Sequence, residues 1–254
     1  MARKVIAGNW KMNGDRSFAQ DLVKSLLSRP EWGDLKAEVV VCPPALLVSS
    51  VAEQTAGTPI HVGGQDCHQN ARGAHTGDQS PELLADLGAS HVIVGHSERR
   101  QDHGETDNQI RSKAEAALRA GLTPIFCIGE TEQERSDGQT LAVVEKQIRD
   151  GLPDLSAADS GADRLIVAYE PVWAIGTGKT ATASDVAEVH AALRRLLIEL
   201  LGEQGGQTVP LLYGGSVKPD NADELLSVDD VDGALIGGAS LKADDFWAIA
   251  LATL

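Results

Sequence analysis

Residues 165–179 read Leu-Ile-Val-Ala-Tyr-Glu-Pro-Val-Trp-Ala-Ile-Gly-Thr-Gly-Lys, a continuous apolar run that ends at its first charged residue, Glu170. A run that is apolar without alternation marks a strand buried on both faces, as in a parallel sheet. Downstream, Val186, Val189, Leu193, Leu196, Leu197 and Leu200 recur at the spacing of an amphipathic helix that ends at Gly202. Thr182 with Asp185 offers a capping box at its start, Ser184 is a second candidate for the cap, and Gly202 suits the residue just past its end. Strand, polar loop and helix together make one βα unit.

Working outward, the unit repeats. Further short runs rich in Val, Ile, Leu and Ala lie at 5–8, 38–42, 60–63, 91–95, 123–128, 209–213 and 233–237, which with 165–169 makes eight. Helical stripes fall between them, such as Phe18, Leu22 and Leu26, or Ile110, Ala114, Ala117 and Leu118 closed by Gly121. No Pro/Ser-rich linker, charge block or low-complexity stretch interrupts the alternation. A length of 254 residues alone would also suit two small domains. Eight uninterrupted units instead predict an α/β protein, one closed (β/α)8 barrel spanning residues 1–254. A doubly wound open sheet would favour a glycine-rich fingerprint after the first strand, and Gly8-Asn9-Trp10-Lys11 is not one.

Charge and cysteine usage exclude several functions. A net charge of −15 argues against nucleic acid or anionic membrane as partner, since both need a basic patch. No apolar run approaches a membrane span, and Met-Ala-Arg-Lys before Val5 leaves no room for a signal-peptide core. Cys42, Cys67 and Cys127 are odd in number and lack metal-ligand spacing, so a reducing cytoplasm is the expected compartment. An anionic ligand would have to be held by local backbone N–H groups or a single lysine against the overall field.

Barrels of this kind keep their chemistry at the C-terminal ends of the strands. Polar residues gather there: Asn9 and Lys11, Gln65 and Asp66, His96 and Glu98, Glu130, Glu170, then Gly214-Gly215-Ser216 and Gly237-Gly238. Either glycine pair alone would more simply be a turn. Together, after strands seven and eight, they predict backbone N–H groups converging on a phosphate. Glu170 before a proline would by itself be a surface carboxylate. The apolar stretch Val172 to Ile175, between Pro171 and the glycines at 176 and 178, instead reads as a lid, beneath which desolvation would raise the basicity of Glu170 toward that of a general base. His96, followed by Ser97-Glu98, can open a short helix whose dipole keeps the imidazole neutral, able to donate a hydrogen bond to a carbonyl. A satisfied, partly buried histidine is the plainer reading, and no metal-type spacing surrounds it. Lys11 alone would be a solvated surface lysine; in so acidic a chain it could offset phosphate and enediolate charge.

Asn9-Trp10-Lys11, Gly95 to Arg100, Tyr169 to Lys179, Tyr213 to Ser216 and Gly237 to Ser240 together resemble the triosephosphate isomerase family, in order and along the whole chain. The resemblance implies a cofactor-free, metal-free isomerase of the TIM-barrel type, acting on small phosphorylated trioses through an enediolate. It implies Glu170 as carbon base, His96 as neutral electrophile and Lys11 as electrostatic partner. Asn9 would position substrate oxygens, with Glu98 supporting from behind. Gly176, Ser216, Gly237 and Gly238 would hold the phosphate. It further implies a homodimer, in which the loop from Gln65 to Gln79 reaches the neighbouring subunit; there His75 and Asp78 replace the family's usual Phe and Glu. Another phosphosugar barrel enzyme, or a non-catalytic phosphate sensor, would be expected to lack this lid or one of Lys11, His96 and Glu170.

Overall fold

The computed structural model describes residues 2–155, 164–175 and 179–254. The strands are β1 (Val5–Asn9), β2 (Glu38–Cys42), β3 (Ile60–Gly64), β4 (His91–Val94), β5 (Thr123–Ile128), β6 (Ile166–Tyr169), β7 (Leu211–Tyr213) and β8 (Gly233–Ile236). They follow one another in chain order around a closed barrel, and every pairing is parallel, including the β1–β8 pairing that shuts it. Each boundary lies within two residues of the apolar run that marked it. Closure needs a glycine. Gly233 has φ +144°, and a Cβ on it would sit 1.8 Å from the Val5 carbonyl oxygen across the last seam.

The helices are α1 (Arg16–Leu27), α2 (Val48–Thr55), α3 (Pro81–Asp86), α4 (Ser97–Asp102), α5 (Asp107–Arg119), α6 (Glu132–Ser136), α7 (Thr140–Gly151), α8 (Ala183–Thr208), α9 (Ala222–Leu226) and α10 (Ala243–Leu251). Their apolar faces make the outer of two cores. In it Ile6, Val39, Val41, Val92, Val94, Phe126 and Val167 of the strands meet Leu22, Val23, Ile110, Ile148, Val189 and Phe246 of the helices. Val5, Ala7, Val40, Cys42, Ile93, Ile125, Cys127, Ile166, Ala168, Leu212 and Leu235 point inward and fill the barrel. Alternate residues of one strand thus enter different cores, which is why the sequence shows no polar alternation. All three cysteines are free and buried. Burial pushes the Cys42 and Cys67 thiols up to about 12, leaving them unreactive packing groups at neutral pH.

The helix signals behave as their chemistry requires. Thr182 caps α8 with a reciprocal Asp185 capping box, so Ser184 stands inside the helix rather than at its cap. Gly121 follows the C-cap of α5 with φ +87°. Gly202 also has a positive φ, of 75°, but the chain re-enters a helical turn beyond it, so the glycine marks a kink rather than an end.

The buried face of α8 includes His190, fully enclosed, with Nδ1 3.0 Å from the Asp230 carbonyl oxygen. That oxygen can only accept, so Nδ1 holds the proton of a neutral ring. Burial pushes the His190 pKa down to about 4. The unfolded chain, with an ordinary histidine near ~6.5, then binds a proton that the folded chain refuses. The stability from this group is complete above about pH 6.5 and falls by about 3 kcal/mol as the pH drops to about 4. Urea unfolding of the parent and His190→Gln at pH 7 and 4.5 should show a steeper acid loss in the parent. Equal losses would contradict this account.

Candidate active site

Because the strands are apolar on both faces along most of their length, polar side chains are driven toward the strand ends. A cavity of about 750 Å³ opens at the C-terminal end of the barrel. Asn9, Lys11, His96, Glu170, Ser216, Gly237 and Gly238 all line it, so the barrel brings these sequence-predicted residues to one place. Gly176 lies outside the described residues.

Glu170 leaves β6 through a gap that its neighbours leave open. Its N–H donates to the Ile128 carbonyl at 2.7 Å, and the Gly214 N–H donates to the Tyr169 carbonyl at 2.7 Å. A Cβ on Gly129 would fall 1.8 Å from the Glu170 carbonyl oxygen, and one on Gly214 would fall 2.7 Å from its Cγ. The carboxylate is 2% exposed. Its Oε2 accepts the Ser97 N–H at 3.2 Å, and its Oε1 lies 3.0 Å from His96 Nε2.

His96 is the N-cap of α4, and its Nδ1 accepts the Glu98 N–H at 3.2 Å. The lone pair on Nδ1 is therefore committed, and Nε2 is the protonated atom, donating to Glu170. This is the helix-opening geometry that the Ser97-Glu98 sequence suggests. The electrostatics are less simple than the sequence implies. Burial opposes charge on His96, but the Glu170 carboxylate beside it outweighs that and raises its pKa above the ordinary value. Burial pushes Glu170 upward too, and is outweighed by His96, the Ser97 N–H and Lys11, which hold it below the usual carboxylate range. Glu170 is therefore not raised as its burial alone would have it. Against full protonation of the ring stands the Glu98 N–H, which a second imidazole N–H would face head-on.

Lys11 has φ +51°, an unusual conformation for a residue with a side chain. It is held by its own N–H donating to Asn9 Oδ1 at 3.0 Å and by Gln65 Nε2 donating to its carbonyl at 2.8 Å. The turned backbone sends the ammonium across the cavity mouth to Glu98 Oε1, with its Cε 3.6 Å from where a Gly237 Cβ would stand. Lys11 thus spans from the β4 side of the site to the β8 side. Opposite, the Ser216 carbonyl is fixed by Asn221 Nδ2 at 3.1 Å, and Gly238 opens a short 3₁₀ turn to Leu241.

The sequence missed what anchors the loop after Glu170. Trp173 Nε1 donates to Glu130 Oε1 at 2.8 Å, Tyr169 Oη to the same oxygen at 3.2 Å, and the Arg135 guanidinium lies 4.2 Å over the indole. Trp173 and Ala174 are buried rather than exposed, and Trp173 is held against Glu130 and Arg135, so this half of the supposed lid is packed down. The signal was present: Glu130 was a carboxylate stranded at a strand end, but its partner lies 43 residues away. Ser97 contributes only an N–H, which no side-chain pattern announces.

A family model described as triosephosphate isomerase matches residues 4–253. The chain is 57% identical to triosephosphate isomerase of Bradyrhizobium sp. (strain ORS 278), over 98% of this chain and 97% of that one. It is 53% identical to that of Granulibacter bethesdensis, over 99% of both. Among solved structures, the crystal structure of triosephosphate isomerase from Bartonella henselae aligns with a TM-score of 0.88 at 45% identity, covering 98% of each chain.

The Glu170–His96 contact has a measurable sign. Since the carboxylate is what raises the histidine, Glu170→Gln should lower the His96 pKa, followed by NMR titration of the imidazole. Above that pKa, Nδ1 should be the unprotonated nitrogen in both proteins. A pKa unchanged or raised in the variant would refute the pairing.

Proposed function

The chain belongs to the triosephosphate isomerase family, and from that premise we propose how its residues divide the interconversion of dihydroxyacetone phosphate and D-glyceraldehyde 3-phosphate. The enzyme is an isomerase of the triose step shared by glycolysis and gluconeogenesis. Glu170 takes the proton from the carbon beside the carbonyl, and His96 Nε2–H donates to the carbonyl oxygen, giving an enediolate. Returning the proton to the neighbouring carbon completes the exchange. The Lys11 ammonium offsets the developing oxyanion, and Asn9 orients the oxygens.

The observation that supports this reading best is the buried Glu170–His96 pair. A substrate carbonyl accepting from Nε2 takes the donor that Glu170 now accepts. The carboxylate then loses the contact that depresses it, while its burial remains, so binding itself raises the basicity of the group that must act. Ser216, Gly237 and Gly238 hold the phosphate through backbone N–H groups, with Gly176 as a fourth donor, which reconciles a dianionic substrate with an acidic protein. The steps are proton transfers, so no cofactor and no catalytic metal is required. A non-catalytic sensor would have no use for a carboxylate buried against a histidine.

The assembly is a homodimer in this reading. Met12 and Leu46 stand 95% and 97% exposed beside Lys11 and the β2 loop, apolar surface that a second copy would cover. The loop from Gln65 to Gln79 is tied at its base by His68 N–H donating to the Gln79 carbonyl at 2.7 Å. At its tip His75 stacks on His68, ring centroids 3.9 Å apart, so the residue that departs from the family pattern packs within its own loop. Thr76 is exposed there. The free thiols and the lack of any described helix long and apolar enough to cross a membrane fit cytoplasmic residence.

Glu170→Gln should lower kcat by about a thousandfold in a coupled assay, with affinity for inorganic phosphate changed only a few-fold. Near-parental turnover would remove Glu170 from its role. Thr76→Arg should weaken the dimer and the activity together; sedimentation that finds a fully active monomer in the parent would break that link.

A further inference from the structure

At the opposite end of the barrel from the cavity, three potential ligands converge from three adjacent strands: Glu38 opens β2, His61 is second in β3 and His91 opens β4. One oxygen or nitrogen of each lies within 4.8 Å of the others. Glu38 Oε1 is 3.1 Å from His91 Nε2 and 3.9 Å from His61 Nε2. We propose that Glu38, His61 and His91 form a binding site for a divalent transition-metal ion of the zinc class, with the fourth position open to water.

The chemistry of the three groups favours such an ion. Two imidazoles and a carboxylate suit zinc better than calcium or magnesium, which prefer oxygen. Ligand bonds of about 2.1 Å at near-tetrahedral angles separate the ligand atoms by about 3.4 Å. The Glu38–His91 separation is already near that, and His61, 47% exposed and half an ångström farther from Glu38, can approach by a side-chain rotation. His91 is 3% exposed, and its Nε2 faces Glu38 Oε1 at 3.1 Å, a contact that a metal ion could bridge.

The surrounding contacts set the ligands as metal sites require. Ser90 Oγ lies 2.9 Å from His91 Nδ1 and can accept its proton, which leaves the Nε2 lone pair for the metal. Arg3 Nε donates to Glu38 Oε2 at 2.8 Å, turning the carboxylate so that Oε1 faces the histidines. Arg3 brings a cation against the site, and it occupies the oxygen that the metal does not need. A second cluster, His68, His75 and Asp78, is less apt. There the Asn70 N–H already donates to His68 Nδ1, so the neutral ring keeps its proton on Nε2, the atom nearest Asp78. Sequence spacing could not suggest the Glu38 site, because its ligands meet only when three strands align; it stands against the expectation of a metal-free protein.

The test uses the full chain after chelator treatment, titrated with Zn2+ by calorimetry and with Co2+ by its visible spectrum. One equivalent should bind per chain, and thermal stability should rise with it. His61→Asn, an exposed change that leaves the fold intact, should weaken binding at least about tenfold and abolish the tetrahedral Co2+ bands. Its isomerase kcat/KM should equal the parent's, since the site lies across the barrel from the chemistry. Absence of Zn2+ binding in the parent overturns the proposal. So does affinity that survives His61→Asn, or binding that is lost instead in His68→Asn.

Discussion

A strand buried on both faces has nowhere to put a polar group except at its ends, and in this protein eight such strands close on themselves. Two apolar cores, one inside the barrel and one beneath the helices, consume the middle of every strand. Each chemical group is therefore confined to one rim or the other. Asn9, His96, Glu170 and Gly237, far apart in sequence, each stand at or within two residues of a strand end, and closure of the barrel brings them around one cavity. Position in the chain matters little to the site; position along the strand decides everything.

Within that rim the electrostatics are in tension. Burial alone would make Glu170 reluctant to ionise, whereas His96, Ser97 and Lys11 all favour its charge and prevail. His96 shows the mirror image, raised by Glu170 against its own burial. Each group holds the other away from the state that the proposed proton transfer needs, and a ligand placed between them would release both. Lys11 is in a similar position, since its ammonium is satisfied by Glu98 until a more demanding anion arrives.

Much of this was legible in the sequence for a simple reason. Apolar runs such as Val39 to Cys42 and Ile125 to Ile128 can be read because their burial is total, and Thr182 with Asp185 because a capping box is local. The candidate site was legible because Glu170, His96 and Lys11 each stand where an apolar run stops. What escaped depends on long-range pairing or on the backbone. Glu130 holds Trp173 across two strands, the Ser97 N–H has no side-chain signature, and Gly202 looks like a terminator while acting as a kink. The sign of the Glu170 shift escaped as well, because burial can be guessed from one residue but a partner cannot.

Gly129 and Gly214 flank Glu170 on either side, each so close that a single added carbon would strike it. The carboxylate is thus held partly by what its neighbours lack. This has a consequence for how such a barrel can diversify. A lineage exploring new substrates can lengthen or recolour the loops around Ser216 and Lys218, which face open cavity, and still keep a working base. The β5–β6–β7 seam allows no such drift. Almost any first step there adds volume against Glu170, so selection would be expected to preserve the clasp long after the rest of the rim has changed.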